Sequence, residues 1–131
     1  MSTAPHIAFD DYLAISRLYS EYALAVDSGD WDLWPEFFTE DCTYKLVPRE
    51  NHERGFPLAT LLFESKGMLK DRVYGIRETL FHDPYYQRHV VSAPVVLAAS
   101  ENRFEAQANY AVFRTKPVSY THLTLPTIYS V

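Results

Sequence analysis

A single cysteine, Cys42, stands in a chain of 131 residues. One thiol excludes an internal disulfide, and with it the stapled scaffolds of small secreted domains; it fits a reducing cytoplasm. Glycine is nearly as scarce: four residues, with no glycine-rich phosphate loop and no G-x-S-x-G elbow among them. Positive charge is in short supply too. Twelve Lys and Arg face 17 Asp and Glu, a net charge of -5, and the basic residues form no cluster suited to nucleic acid or an anionic membrane. No apolar run approaches the roughly 20 residues of a membrane span. The N-terminus, MSTAPHIAFDD, lacks a basic region followed by an apolar stretch, so no signal peptide is expected.

What is present in excess is aromatic. Ten Tyr, eight Phe and two Trp suit a chain that buries large rings or packs them against something else. The length allows one domain with one core. Asp10 and Asp11 are candidate caps for a first helix whose buried stripe is Ile15, Leu18, Tyr19, Tyr22 and Val26, with Gly29 at its left-handed end. A second short helix is expected over Trp31–Phe38, capped by Asp30, with Trp34, Phe37 and Phe38 facing in. Cys42–Val47 alternates as a strand, Pro48–Pro57 reads as a polar loop containing Gly55, and Leu58–Phe63 reads as a second strand. A third helix covers Lys66–Leu80 and stops before Asp83-Pro84. Two longer strands follow, His89–Leu97 with Pro94 marking a bulge or edge, and Arg103–Phe113 with clean alternation. Helices first and strands later, without β-α-β alternation, make an α+β domain, a cone in which helices close one side of a curved mixed or antiparallel sheet.

Chemistry-bearing residues are few. The five histidines, His6, His52, His82, His89 and His122, form no H-x-x-x-H or H-E-x-x-H pattern, so no metal site is expected. A Rieske cluster needs two cysteines and two histidines, which one cysteine cannot supply. His89 opens a strand and would serve as acid or base if the strand faced a cavity; a hydrogen-bonded histidine at a strand start is the simpler reading. Asp27, Asp30 and Asp32 cluster at the helix junction. A carboxylate there could act as a base in an apolar pocket, but cap and first-turn roles account for Asp30 and Asp32, and a helix-end role for Asp27. The expectation is therefore no catalytic residue, with His89 and Asp27 as the alternative. Cys42 reads as core. Arg49, His52 and Arg54 read as a solvated loop.

The C-terminal stretch stands apart. Val118–Thr127, VSYTHLTLPT, resembles the translation of a transposon-end sequencing adapter, and Ile128–Val131 fit the index and the codon before a stop. Residues 1–117 are therefore expected to form a single domain, incomplete on its C-terminal side, and 118–131 a non-native tail.

Asp27–Leu46, DSGDWDLWPEFFTEDCTYKL, together with Phe63–Leu97, FESKGMLKDRVYGIRETLFHDPYYQRHVVSAPVVL, resembles the small (beta) subunit of aromatic-ring-hydroxylating dioxygenases, salicylate- and anthranilate-type hydroxylases above all. The resemblance covers Asp10 to Lys116 and extends to the cone-fold family of nuclear transport factor 2, scytalone dehydratase and ketosteroid isomerase. It implies a cytoplasmic, non-catalytic scaffold that supports a large (alpha) subunit in a three-plus-three hexamer. In that assembly the Rieske 2Fe-2S cluster and the mononuclear iron belong to the large subunit, and no cofactor belongs to this chain. The alternatives are a stand-alone dehydratase or isomerase, or a small-ligand-binding module. Aligned on D-S-x-D-W, the dehydratase's helix acid falls at Leu24, its strand-start histidine at His89 and its second histidine near Ala111. Two of these three positions are apolar, which speaks against that chemistry.

Overall fold

The computed structural model describes residues 5–55, 58–82, 84–116 and 127–130, and for His82 and 127–130 the backbone alone. Helix α1 runs Phe9–Ser28 and ends at Gly29, whose φ of 78° is the left-handed turn a helix end favours. Asp10 and Asp11 do not cap it. Ala8 holds the cap position without a side-chain bond, and the two carboxylates sit in the first turn, where the helix dipole favours negative charge. The buried stripe is confirmed at Val26 and joined by Ala23 and Ala25, but Leu18 is 48% exposed. It lies about 100° around the helix from Tyr19, off the Ile15–Tyr19–Tyr22–Val26 line.

The expected second helix is instead a turn followed by a 3-10 helix, Trp34–Phe37. Pro35 explains this: it has no N–H to give to Trp31, so the chain closes shorter loops, Leu33 N–H to Asp30 C=O at 3.1 Å and Trp34 N–H to Trp31 C=O at 3.3 Å. Asp30 thus contributes its carbonyl and not a side-chain cap. Strand β1, Tyr44–Leu46, pairs antiparallel with β2, Leu61–Phe63, and between them the expected loop contains one short helix, α2, Arg49–Glu53. Helix α3 spans Lys66–His82. Asp83 of the helix-stopping pair, Phe56 and Pro57 of the loop, and residues 117–126 of the tail, His122 included, lie outside the described residues.

Both long strands are broken in two. The first becomes β3, Tyr86–Val91, and β4, Val95–Ser100; the second becomes β5, Arg103–Gln107, and β6, Asn109–Thr115. β3 pairs with β6, and β4 with β5, all antiparallel, so the four form one bent hairpin whose tip is turned by Asn102 at φ 59°. Two extra residues sit on the first arm. Ala93 and Pro94 together oppose Ala108, and Leu97 is inserted between the pairs Val96–Ala106 and Ala98–Glu105. Such bulges bend and twist a ribbon. Pro94, which cannot donate to the ladder, takes a hydrogen bond from the Tyr12 hydroxyl to its carbonyl at 3.0 Å, tying the bend to α1. The backbone of β7, Thr127–Ser130, pairs with β6 from Asn109 to Val112.

The core lies where α1, the 3-10 turn and α3 meet: Val26, Trp31, Trp34, Leu69 and Val73, with Tyr22, Phe38, Tyr44 and Phe63 packed around them. Leu69, at 0% exposure, is its centre. Replacing Leu69 with Ala removes a fully buried side chain, and urea denaturation should register a loss of about 2–5 kcal/mol.

Candidate functional site

The polar centre of the cone is built where α1 ends. Its last turn places Asp27 beside the His89–Val112 pair, the fourth along the β3–β6 ladder. One carboxylate oxygen, Oδ2, accepts the backbone N–H of His89 at 2.7 Å, and the other, Oδ1, lies 2.6 Å from His89 Nδ1. The side chains are 9% and 17% exposed. A carboxylate on Nδ1 orients the ring and leaves Nε2 as its second nitrogen. The His89 ring stacks on Tyr110 at 6.2 Å between centroids, and Gln87 Nε2 reaches the Val26 carbonyl at 3.4 Å. Chemically this is an oriented carboxylate–imidazole pair, the arrangement of an acid–base dyad and equally of a clamp between helix and strand.

Deeper in the cone the rings fill the space. Trp34 donates its indole N–H to the Tyr22 hydroxyl at 2.8 Å, and Trp34, Phe38 and Tyr44 meet edge to face at 5.6–6.1 Å. Burial holds the Tyr22 phenol far above the ordinary tyrosine range, with the neighbouring Tyr44 adding to the effect. Burial also raises Tyr44, against a hydrogen bond from Tyr22 and the nearby Arg72 charge, which pull it down. Trp31 Nε1 is buried without a hydrogen-bond partner among the described residues.

Of the residues singled out in the sequence, the structure thus joins His89 and Asp27. The others scatter. Asp32 pairs with Arg77 across to α3, and Asp30 is exposed. Arg49 pairs with Glu53 along α2, His52 and Arg54 are exposed, and Cys42 packs half-buried against the core. Of the three positions mapped for a dehydratase, His89 is in the dyad and the other two point away from it. Leu24 is 64% exposed, and Ala111 pairs with the exposed Val90 on the outer face of the sheet. The inward neighbours are Tyr110 and Val112, one residue to either side. The alignment slips there, and the apolar identity of Leu24 and Ala111 does not bear on the chemistry inside. Sequence reasoning missed the Asp27–His89 contact; the signal for it was that Asp27 continues the edge of the Tyr19–Tyr22–Val26 stripe. Two surface clefts, about 330 and 410 Å³, lie elsewhere, one between the 3-10 turn and α3, the other near His6 and the hairpin tip.

The chain belongs to the SnoaL-like domain family, whose model matches residues 8–123. It is homologous to small subunits of ring-hydroxylating dioxygenases. It is 32% identical over 105 residues to the anthranilate 1,2-dioxygenase small subunit of Burkholderia cepacia, covering 80% of this chain and 65% of that protein. It is 29% identical over 102 residues to the terephthalate 1,2-dioxygenase terminal oxygenase component subunit beta 1 of Comamonas sp., covering 78% and 66%. The chain therefore spans just under two thirds of the length of these curated relatives. A crystal structure from Novosphingobium aromaticivorans, described as the beta subunit of an aromatic-ring-hydroxylating dioxygenase, superposes with a TM-score of 0.80 at 30% identity, over 95% of this chain and 79% of that one.

The raised phenols set a pH dependence. In the unfolded chain tyrosine ionises near 10.0, whereas folded Tyr22 and Tyr44 hold their protons above that. The folded state then binds more protons than the unfolded one, so these groups leave stability unchanged below pH 10 and reduce it as pH rises further. An ultraviolet absorbance titration should show two phenols ionising only as the protein unfolds.

Proposed function

We propose that this chain is the non-catalytic small (beta) subunit of an aromatic-ring-hydroxylating oxygenase acting in the breakdown of an aromatic acid in the cytoplasm. The observation that carries this reading is the close superposition on the Novosphingobium beta subunit together with the kinship to two dioxygenase small subunits. The partner is a large (alpha) subunit in a three-plus-three hexamer. The large subunit would hold the Rieske 2Fe-2S cluster and the mononuclear iron. This chain, with its single cysteine, lacks the two-cysteine, two-histidine set such a cluster requires. Among the described residues no group of three or more His, Cys, Asp or Glu is placed to hold a metal ion. On this reading the Asp27–His89 pair is a clamp. Three hydrogen bonds, two accepted by the Asp27 carboxylate and one donated by Gln87, hold the end of α1 on β3.

The same pair favours a second reading, a stand-alone dehydratase or isomerase of the cone fold, in which Asp27 orients His89 as acid or base. A small-ligand-binding module without chemistry is the third. We also propose that residues 118–131 are a non-native tail following the domain 1–117. The family match runs to residue 123, inside that tail, and sequencing the source DNA past Lys116 decides between the two: native codons continuing through Val118 would sink the proposal.

Co-expression with a large subunit of the anthranilate 1,2-dioxygenase type should yield a complex that native mass spectrometry resolves as three copies of each chain, with iron only in the large one. Recovery of this chain alone, with the iron protein eluting separately, would refute the small-subunit reading. In that complex His89→Ala should leave turnover per iron unchanged while costing about 1–3 kcal/mol of stability, since the Asp27 carboxylate loses the ring. A dehydration activity of the isolated chain that His89→Ala abolishes would establish the second reading instead.

A further inference from the structure

We infer that the tip of the bent hairpin, Leu97–Glu105, is a hinged flap, held off the N-terminal segment by two like charges and poised to close on it. The tip begins where the hairpin loses its cover. Val96 is buried and its partner Ala106 half-buried, whereas all nine residues from Leu97 to Glu105 are exposed, on both faces of the ribbon. Three residue pairs join the two strands there, Ala98–Glu105, Ala99–Phe104 and Ser100–Arg103, with Asn102 in the left-handed turn. A two-stranded ribbon with nothing packed on it is marginal in water and opens locally at little cost.

Leu97 supplies the hinge. It is the inserted residue between Val96–Ala106 and Ala98–Glu105, so the ladder is interrupted at the point where burial ends. On the near side of Leu97 the hairpin is pinned. Tyr12 donates its hydroxyl to the Pro94 carbonyl at 3.0 Å, Ser92 N–H donates to the Asn109 carbonyl at 2.9 Å, and Asn109 N–H donates to Ser92 Oγ at 3.0 Å. Among the described residues no hydrogen bond or ion pair ties Leu97–Glu105 to the rest of the chain.

The flap borders one cleft, of about 410 Å³, between the tip and the segment that leads into α1. Apolar groups stand on both sides, Phe104 on the tip and Ile7 opposite, so closure removes apolar surface from water. A carboxylate also stands on each side, Glu101 on the tip and Asp11 on α1, so closure brings like charges together. Both effects are small at an open surface. So is the resistance of an uncovered ribbon, which is why a single charge can decide the position of the flap.

Nuclear magnetic resonance of the full chain tests this, with amide exchange reading the hinge and a ring–methyl Overhauser contact reading the closure. The hydrogen-bonded amides of Ala98–Phe104 should exchange at least about tenfold faster than those of Arg88–Val91. The contact between the Phe104 ring and the Ile7 methyls should strengthen about twofold in Glu101→Gln and by as much in Asp11→Asn. The double variant should gain no more than either single one, since removing one carboxylate already removes the repulsion. Sodium chloride should strengthen the contact in the unaltered chain and not in the variants. Asp10→Asn, off the cleft, should leave it unchanged. Tip amides that exchange as slowly as those of β3 overturn the hinge. A contact that neither cleft variant strengthens, additive gains in the double variant, or an equal gain in Asp10→Asn overturns the charge control.

Discussion

The cone depends on a single closure: the end of one helix must stay on the start of one strand. Everything that makes α1 a wall of the cone, its Ala23–Val26 turn against the sheet and its Tyr22 ring in the interior, requires that α1 lie along β3. Asp27 secures this from the last helical turn with both carboxylate oxygens, one on a backbone N–H and one on an imidazole nitrogen. Gly29 follows two residues later and turns the chain away into the tryptophan-bearing segment. A charge-assisted pair of bonds at so little exposure is stronger than a neutral pair and more costly to leave half-made. The junction therefore behaves as a unit: helix, strand and dyad hold together or part together.

From that junction the rest of the interior follows by filling. The 3-10 turn drops Trp34 onto Tyr22, the indole N–H finds the phenol oxygen, and Tyr44 and Phe63 arrive from the small β1–β2 sheet to complete an edge-to-face cluster. Rings packed in this way join the helices and the small β1–β2 sheet in one core. Residues that could exchange protons are held in place by the same contacts that stabilise the fold.

Much of this was legible in the chain. The three-and-four spacing of α1 apart from Leu18, Gly29 as its stop, the helix from Lys66 and the strand character of the stretch from Arg103 each arise from local rules and match the structure. What escaped depends on longer reach. Pro35 forbids the α-helix expected at Trp31 through one missing hydrogen bond, a local fact that propensity and spacing alone did not register. Pro94 did announce the bulge beside it, whereas the break at Ala108 and the second insertion, at Leu97, are set by register across the hairpin, which no single strand records. Arg49–Glu53 forms a helical turn inside a polar stretch with no apolar period to announce it. The Asp27–His89 contact joins residues 62 positions apart, so only the packed fold brings it about. The face assignments at Leu24 and Ala111 failed by one residue, enough to exchange inside for outside.

The bent hairpin has a further consequence. Its first arm carries two more residues than the second between matched pairs, both inserted near the bend. Its curvature is thus a matter of arc length, as in a strip whose one side is longer than the other, with the Tyr12 hydroxyl holding the bend to α1. Substitutions can accumulate along both arms while the arch keeps its radius. The shared curve of this chain and a relative that retains fewer than a third of its residues is what such a construction would produce. The two surplus residues set the arch by their number and their places, and deleting either shortens the outer arc and flattens it.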